Sequence, residues 1–182
     1  MSSKRLHQIA QAAILLAVLI VLQAATKGLG QIVTGSCVNA ILALAAMTAP
    51  LGASVIIALV SPVLAFLLGI APQILTVPAI MAANTVYVLA LHFLTGKSLV
   101  RRICAWLAAA LLKFAVLYAA VIWLICGVFQ AALMDAGILK APMLQLLTAT
   151  FSWSQLFTAL IGGAAAMLCV PVVHKALTKI QK

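Results

Sequence analysis

Acidic residues are almost absent from this sequence, in which Asp135 is the only aspartate or glutamate among 182 residues. Charged residues of both signs make up 7% of the chain, whereas hydrophobic residues make up 67%. A soluble domain of this length cannot cover its surface with so few charges. A helix bundle surrounded by lipid has no such need, so the composition predicts an integral membrane protein.

Other absences exclude classes of function. One carboxylate cannot form an acid–base pair for hydrolysis, so we expect no enzymatic activity. The four cysteines are scattered without paired spacing and the three histidines lie near helix ends, so we expect no disulfide framework and no metal site. The segment Gly96–Ser98 is similar to the end of a phosphate-binding loop. Leu91, however, stands where that loop needs a glycine, so we expect this chain not to bind ATP.

Apolar runs of about 17 to 25 residues predict transmembrane helices. There are six such runs within one domain that covers residues 1–182. The predicted spans are residues 8–26, 32–49, 53–70, 79–94, 103–127 and 151–174. Most connections are short, and residues 129–150 are predicted as a looser stretch before the last span.

The basic residues indicate how the helices are oriented. The net charge of +10 would suit a nucleic-acid-binding protein, but in so hydrophobic a chain it indicates the positive-inside bias of membrane proteins, and we expect no nucleic-acid partner. With a cytoplasmic N-terminus, only Lys27 and Lys140 face outward. Both termini are therefore predicted to be cytoplasmic. The basic N-terminus and first apolar run could also form a signal peptide, but their length and the lack of a cleavage site favour a retained helix.

Polar side chains inside the predicted spans are the candidate binding residues. Lys113 lies about 17 Å along its helix from the cytoplasmic arginines, near or past the middle of the bilayer. Asn39, Asn84 and Gln155 lie on three other helices between the outer surface and the midplane. Because polar groups at membrane depth usually face a bundle interior or a wet cavity, the pattern predicts a pocket that opens outward.

Helical spacing extends this candidate set, since residues three apart share a helix face. The added residues are Ser36 beside Asn39, Tyr87 beside Asn84, and Ser152 beside Gln155. Hydrogen bonding between helices is an alternative role for the amide side chains. A stripe of Ala159, Gly162 and Gly163 continues the polar face of the last span and is typical of close helix packing.

Lys113 is the hardest of these residues to explain by packing. No acidic residue lies inside the predicted spans to pair with it. The amine could be neutral through desolvation, extend toward the interface, or bond to backbone carbonyls. A bound anionic ligand would also supply the missing partner, and we predict this role.

Several segments together resemble the substrate-binding S components of energy-coupling factor (ECF) transporters. They are "GQIVTGSCVNAILALAAMTAPLGASVIIALVSPVLAFLLGIAP", "NTVYVL", "LLKFAVLY" and "FSWSQLFTALIGG". The resemblance implies six helices with both ends cytoplasmic, and a vitamin or related micronutrient bound near the outer face. It also implies partners, namely a transmembrane coupling subunit and two ATPase subunits that use the ATP, whereas the chain itself binds no cofactor.

The same resemblance implies a docking face on the first helix. S components commonly carry an AxxxA pattern there, and Ala13 and Ala17 match it, with Ala10 on the same face. Small residues at this spacing let helix backbones approach closely. The resemblance places substrate loops at "TKGLGQ" and "APQILTVP".

The substrate class is narrowed only in part. The metal-ion branch of the family typically begins Met-His, whereas this chain begins Met1–Ser2, which disfavours nickel or cobalt. Lys113 favours a substrate with an anionic group. Two other functions remain open at this point: a self-sufficient secondary carrier or channel for a small anionic solute, and a structural membrane subunit whose polar residues only join helices.

Overall fold

The computed structural model describes residues 3–71 and 73–180, and within them the chain is helical with no strand. The all-helical fold class predicted from the sequence is therefore confirmed for the described chain. The helices are α1 (Ser3–Thr26), α2 (Gln31–Thr48), α3 (Leu51–Leu67), α4 (Val77–Leu94), α5 (Leu99–Leu117), α6 (Gln130–Asp135), α7 (Ala141–Phe151) and α8 (Trp153–Ile180). A π-helical segment, Tyr118–Val128, continues α5.

Five helical segments of the described chain are long and apolar enough to cross a membrane. They are Arg5–Leu29, Gln31–Thr48, Ile74–Leu94, Leu99–Val128 and Ala141–Ala176. The third predicted span corresponds to α3, an apolar helix of 17 residues. The fold is thus compatible with a multi-pass membrane protein, while the count of six spans and the cytoplasmic termini stay predictions.

Short turns join the helices and keep sequential helices adjacent. Gly30 (φ 87°) and Gly69 (φ 64°) adopt backbone conformations that favour glycine, next to the ends of α1 and α3. The ammonium of Lys27 donates to the carbonyl of Leu68 at 3.0 Å, which ties these two turns together. At the opposite end of the bundle, the Ser98 hydroxyl caps α5 by accepting from the backbone N–H of Arg101 at 3.3 Å.

The stretch predicted as a loose connection is instead partly helical, forming α6 and α7. Leu147 and Phe151 lie four residues apart on α7, and both are buried. They pack with Leu117 and Val121 into a small apolar cluster separate from the main core. Burial of this face stabilises a short helix that local sequence alone would leave marginal. The helix is interrupted at Ser152 and α8 starts at Trp153, so the last apolar segment, Ala141–Ala176, consists of α7 and most of α8.

The centre of the fold is the contact between α2 and α8, which is the most extensive between any two elements. A Cβ atom added to Gly162 of α8 would lie 2.5 Å from the carbonyl oxygen of Ser36 and 2.6 Å from Cβ of Asn39. One added to Gly35 of α2 would lie 2.8 Å from Cγ2 of Thr158. The two backbones therefore approach closely because glycine stands on both sides, and this approach sets the position of Asn39.

Candidate functional site

A buried ammonium group forms the centre of the candidate site. The side chain of Lys113 on α5 is only 3% exposed. Its Nζ donates to Oδ1 of Asn84 on α4 at 2.7 Å, and to Oδ1 of Asn39 on α2 through a shorter bond. The same Nζ lies 5.3 Å from the centroid of the Tyr87 ring. Helices α2 and α4 thus surround the ammonium of α5 with amide oxygens and the face of an aromatic ring.

Helix α8 orients the groups that hold this ammonium. Nδ2 of Asn39 donates to Oγ1 of Thr158 at 3.1 Å, and that hydroxyl donates to the carbonyl of Gln155 at 3.0 Å. The hydroxyl of Tyr87 donates to the carbonyl of Ala159 at 3.2 Å. Because Asn39 uses its amide nitrogen on α8, its oxygen is left facing Lys113. The site is therefore built in two layers, with α8 positioning the residues that contact the lysine.

The partners of Lys113 are neutral, which has an electrostatic consequence. Amide oxygens solvate an ammonium but do not cancel its charge, and the only carboxylate side chain, Asp135, ends α6. A lysine ammonium has three N–H donors, and the two asparagines occupy two of them. In its protonated form, the amine keeps one N–H and an uncompensated positive charge. This combination suits the oxygen of an anionic group, since charge attraction is strong away from bulk water.

A cavity of about 80 Å³ adjoins the ammonium. Its polar lining comes from seven of the eight helices, namely Gln23, Gln31, Thr34, Asn39, Ser61, Asn84, Lys113, Thr150 and Gln155. Apolar side chains such as Val38, Ile80 and Phe151 complete the walls. Sites for small organic ligands are typically about 300–1,000 Å³, so this cavity is smaller than such a site. A vitamin-sized molecule fits only if the wall elements move apart.

The structure brings together four of the residues predicted from sequence and leaves three aside. Lys113, Asn39, Asn84 and Gln155 all line the cavity. Their role in substrate binding stays a prediction. Tyr87 contacts the lysine from the side but is not among the described residues that line the cavity.

The two predicted serines lie away from the cavity. The Ser36 carbonyl packs against Gly162, and the Ser152 hydroxyl donates to the carbonyl of Ala149 at 3.4 Å, at the break before α8. Spacing of three residues places two side chains on one face, but packing decides which edge of that face is turned to the cavity.

Two buried polar residues that sequence reasoning missed also line the cavity. Gln23 on α1 is 3% exposed and Ser61 on α3 is fully buried. Oε1 of Gln23 and Oγ of Ser61 have no hydrogen-bond partner in the described part of the chain. A glutamine near the outer end of the first apolar run was a visible signal. Ser61, next to Pro62 in a small-residue stretch, offered none.

The alanines predicted as a docking face lie on the surface of α1. Ala10, Ala13 and Ala17 are all exposed. Beside them, an apolar groove of about 570 Å³ runs between α1 and α3, with Ala13 in its wall and Arg5 at its edge. The spacing of the alanines therefore produces an exposed small-residue stripe, and its role in docking stays a prediction.

In the portion of the chain that the structure describes, no three His, Cys, Asp or Glu side chains are close enough to hold a metal ion. No protein-family model matches the chain, and no curated protein or solved structure matches it either. The functional argument therefore depends on the site itself.

Proposed function

We propose that this chain is the substrate-binding S component of an ECF-type importer, a multi-pass protein of a prokaryotic cytoplasmic membrane with six spans and both termini inside. Its substrate is a vitamin or related micronutrient with an anionic group. The observation that carries the proposal is the ammonium of Lys113, buried beside a cavity and held only by neutral groups. An anionic substrate supplies its missing counter-charge.

The position of the cavity supports binding from the outer side. Gln23 lies near the end of α1, while Gln31 and Thr34 lie at the start of α2. These positions lie at the end of the bundle where the Lys27 ammonium donates to the carbonyl of Leu68, just after α3. The positive-inside bias places that end outside, and the arginines at the start of α5 inside.

A binding subunit of this kind needs partners to transport its substrate. The sequence holds no phosphate-binding loop, so the energy comes from two ATPase subunits that act through a transmembrane coupling subunit. The exposed face of Ala10, Ala13 and Ala17 on α1 is the proposed contact with that coupling subunit. Close backbone approach between helices is what small residues at this spacing permit in a membrane.

The first test is mass spectrometry of small molecules that co-purify with the solitary protein. Wild type is compared with Lys113→Met and with Lys97→Met, a control at an exposed lysine in the α4–α5 turn. We expect an anionic metabolite with wild type and Lys97→Met, and none with Lys113→Met. Equal retention by all three proteins contradicts the role of Lys113. An empty wild type, grown with mixed vitamins, contradicts the proposed function.

A second test separates a binding subunit from a self-sufficient carrier. The purified chain is reconstituted alone in liposomes, and accumulation of the co-purifying metabolite is measured. We expect binding without accumulation. The sequence has no phosphate-binding loop through which ATP could drive transport, and its predicted spans have no carboxylate to bind a coupling proton or sodium ion. Accumulation by the chain alone contradicts the proposal and establishes a carrier.

A further inference from the structure

A second polar region of the same cavity carries information about the substrate. Lys113 and Asn84 reach the cavity from α5 and α4, whereas Gln23 and Ser61 reach it from α1 and α3. The first pair presents a donor with positive charge. The second presents Oε1 of Gln23 and Oγ of Ser61, two buried oxygens without hydrogen-bond partners in the described chain.

Leaving these two oxygens unpaired is costly. A buried polar group without a partner destabilises a protein, and does so more strongly where the surroundings are lipid. An unpaired acceptor at the buried position of Gln23 is explained if a ligand satisfies it.

Ser61 differs from most other helical hydroxyls in this fold. Ser and Thr side chains inside helices commonly donate to the carbonyl four residues earlier. The residues that do so here are Thr26, Thr48, Ser54, Thr85, Thr148 and Ser154. Ser61 makes no such bond and lines the cavity instead. Its hydroxyl is therefore free to bond to a molecule in the cavity.

We infer that the substrate carries two recognition groups: a carboxylate that binds Lys113, and a neutral N–H or O–H donor that binds Gln23 and Ser61. This inference rests on the proposed function and deepens it by naming the substrate class. An apolar linker between the two groups suits the walls formed by Val38, Ile80 and Phe151. A carboxylate without a donor leaves Oε1 of Gln23 unpaired, because an amide oxygen only accepts, although the Ser61 hydroxyl could donate to it. A donor without a carboxylate leaves the ammonium unpaired.

The test is affinity-selection mass spectrometry of the solitary protein with a defined mixture of vitamin-class compounds. Biotin, pantothenate and 4-aminobenzoate carry both a carboxylate and an N–H donor. Lipoate and nicotinate carry a carboxylate without an N–H or uncharged O–H donor. Thiamine, pyridoxine and riboflavin carry no carboxylate. The identity of the retained compound therefore reports directly on the two recognition groups.

Variants assign each group to its position in the cavity. Gln23→Leu and Ser61→Ala remove the acceptors, and each is matched by a control on the same helix. Gln11→Leu is the control on α1, since Gln11 donates to the carbonyl of Thr48 at 3.0 Å outside the cavity. Ser54→Ala is the control on α3, where the buried hydroxyl donates to the carbonyl of Ala45 at 2.9 Å.

The expected result is retention of a compound from the first class. Gln23→Leu and Ser61→Ala should each weaken its binding about 3- to 10-fold, as expected for loss of one neutral hydrogen bond, while the controls bind as wild type does. Selection of a compound from the second or third class overturns the inference but leaves the proposed function standing. Undiminished binding by both cavity variants also overturns it.

Retention of no compound from the mixture overturns the inference for this class of substrate. The proposed function is judged separately by the co-purification experiment, which needs no chosen probe. Folding of every variant is checked by size-exclusion chromatography in the same detergent. If Gln23→Leu fails to fold, Gln23→Met keeps the side-chain length while removing the acceptor, and Ser61→Ala tests the region independently.

Discussion

The close contact between α2 and α8 makes Gly162 a position where one added methyl group should have a large effect. In Gly162→Ala, the new Cβ would lie 2.5 Å from the carbonyl oxygen of Ser36 and 2.7 Å from the backbone nitrogen of Ala40. Ordinary contacts are about 3.5–4.0 Å, so the helices must separate by roughly 1 Å. Backbone atoms cannot swing aside as a flexible side chain would. Asn39 moves with α2, so the change reaches the site.

A matched control isolates the cost of this contact. Gly52 lies near the start of α3, is exposed, and has nothing within 4 Å of an added Cβ. Alanine is preferred over glycine in helices by up to about 1 kcal/mol, and both variants gain part of this preference. Overpacking costs about 1–3 kcal/mol, and only Gly162→Ala incurs it. The variants should therefore differ in stability by about 1–3 kcal/mol.

The assay is thermal unfolding of the two purified variants and wild type in one detergent. For a chain of this size, 1 kcal/mol corresponds to about 2–4 °C in Tm, so Gly162→Ala should unfold about 2–12 °C below Gly52→Ala. Binding of the co-purifying metabolite should weaken in Gly162→Ala alone. Equal Tm values for the two alanine variants would refute the close-packing argument. Unchanged binding despite a lowered Tm would refute the link from Gly162 through Asn39 to the site.

Three further predictions concern the lysine, the docking face and the tyrosine. Lys113→Met should weaken binding of the co-purifying metabolite about 10- to 150-fold in equilibrium titration, as expected for loss of a charged hydrogen bond, and equal affinity would contradict an anchoring role. Ala13→Leu and Ala17→Leu should leave that binding unchanged but abolish cellular uptake of the labelled metabolite, and uptake by both variants would rule out this docking face. Tyr87→Phe removes a hydrogen bond to α8 and should lower Tm by about 2–4 °C, while binding persists because the ring still faces the ammonium. A large loss of binding would instead place the hydroxyl in the site.

Much of the site was predictable because membrane depth restricts where polar side chains lie. Lys113, Asn39 and Asn84 were recognisable as polar residues inside apolar runs, at depths that bring them to a similar level. Their meeting in one hydrogen-bonded cluster agrees with that reasoning. Ser36 and Ser152 were placed with them on helical spacing alone, and spacing does not report how far a helix is rotated about its axis.

Gln23 and Ser61 show what sequence reasoning alone could not detect. Both residues lie in apolar runs on helices that carry no other candidate for substrate binding, so nothing local linked them to Lys113. Their common feature is a contact with the same cavity, which depends on how α1 and α3 pack against the rest of the bundle. The helices α6 and α7 were missed for a related reason, since their apolar face is stabilised by a cluster that includes distant residues of α4 and α5.

From the order of residues alone, it follows that the chain forms apolar helices, that one lysine lies deep among them, and that no acidic residue is near it in the sequence. These properties depend on composition and on position within each run, because lipid selects apolar segments one at a time. Which polar atoms meet and which remain unpaired depends on how the helices pack. Helix rotation and register depend on contacts between distant segments, such as Gly162 against α2, and those contacts place the amide oxygens on the ammonium of Lys113.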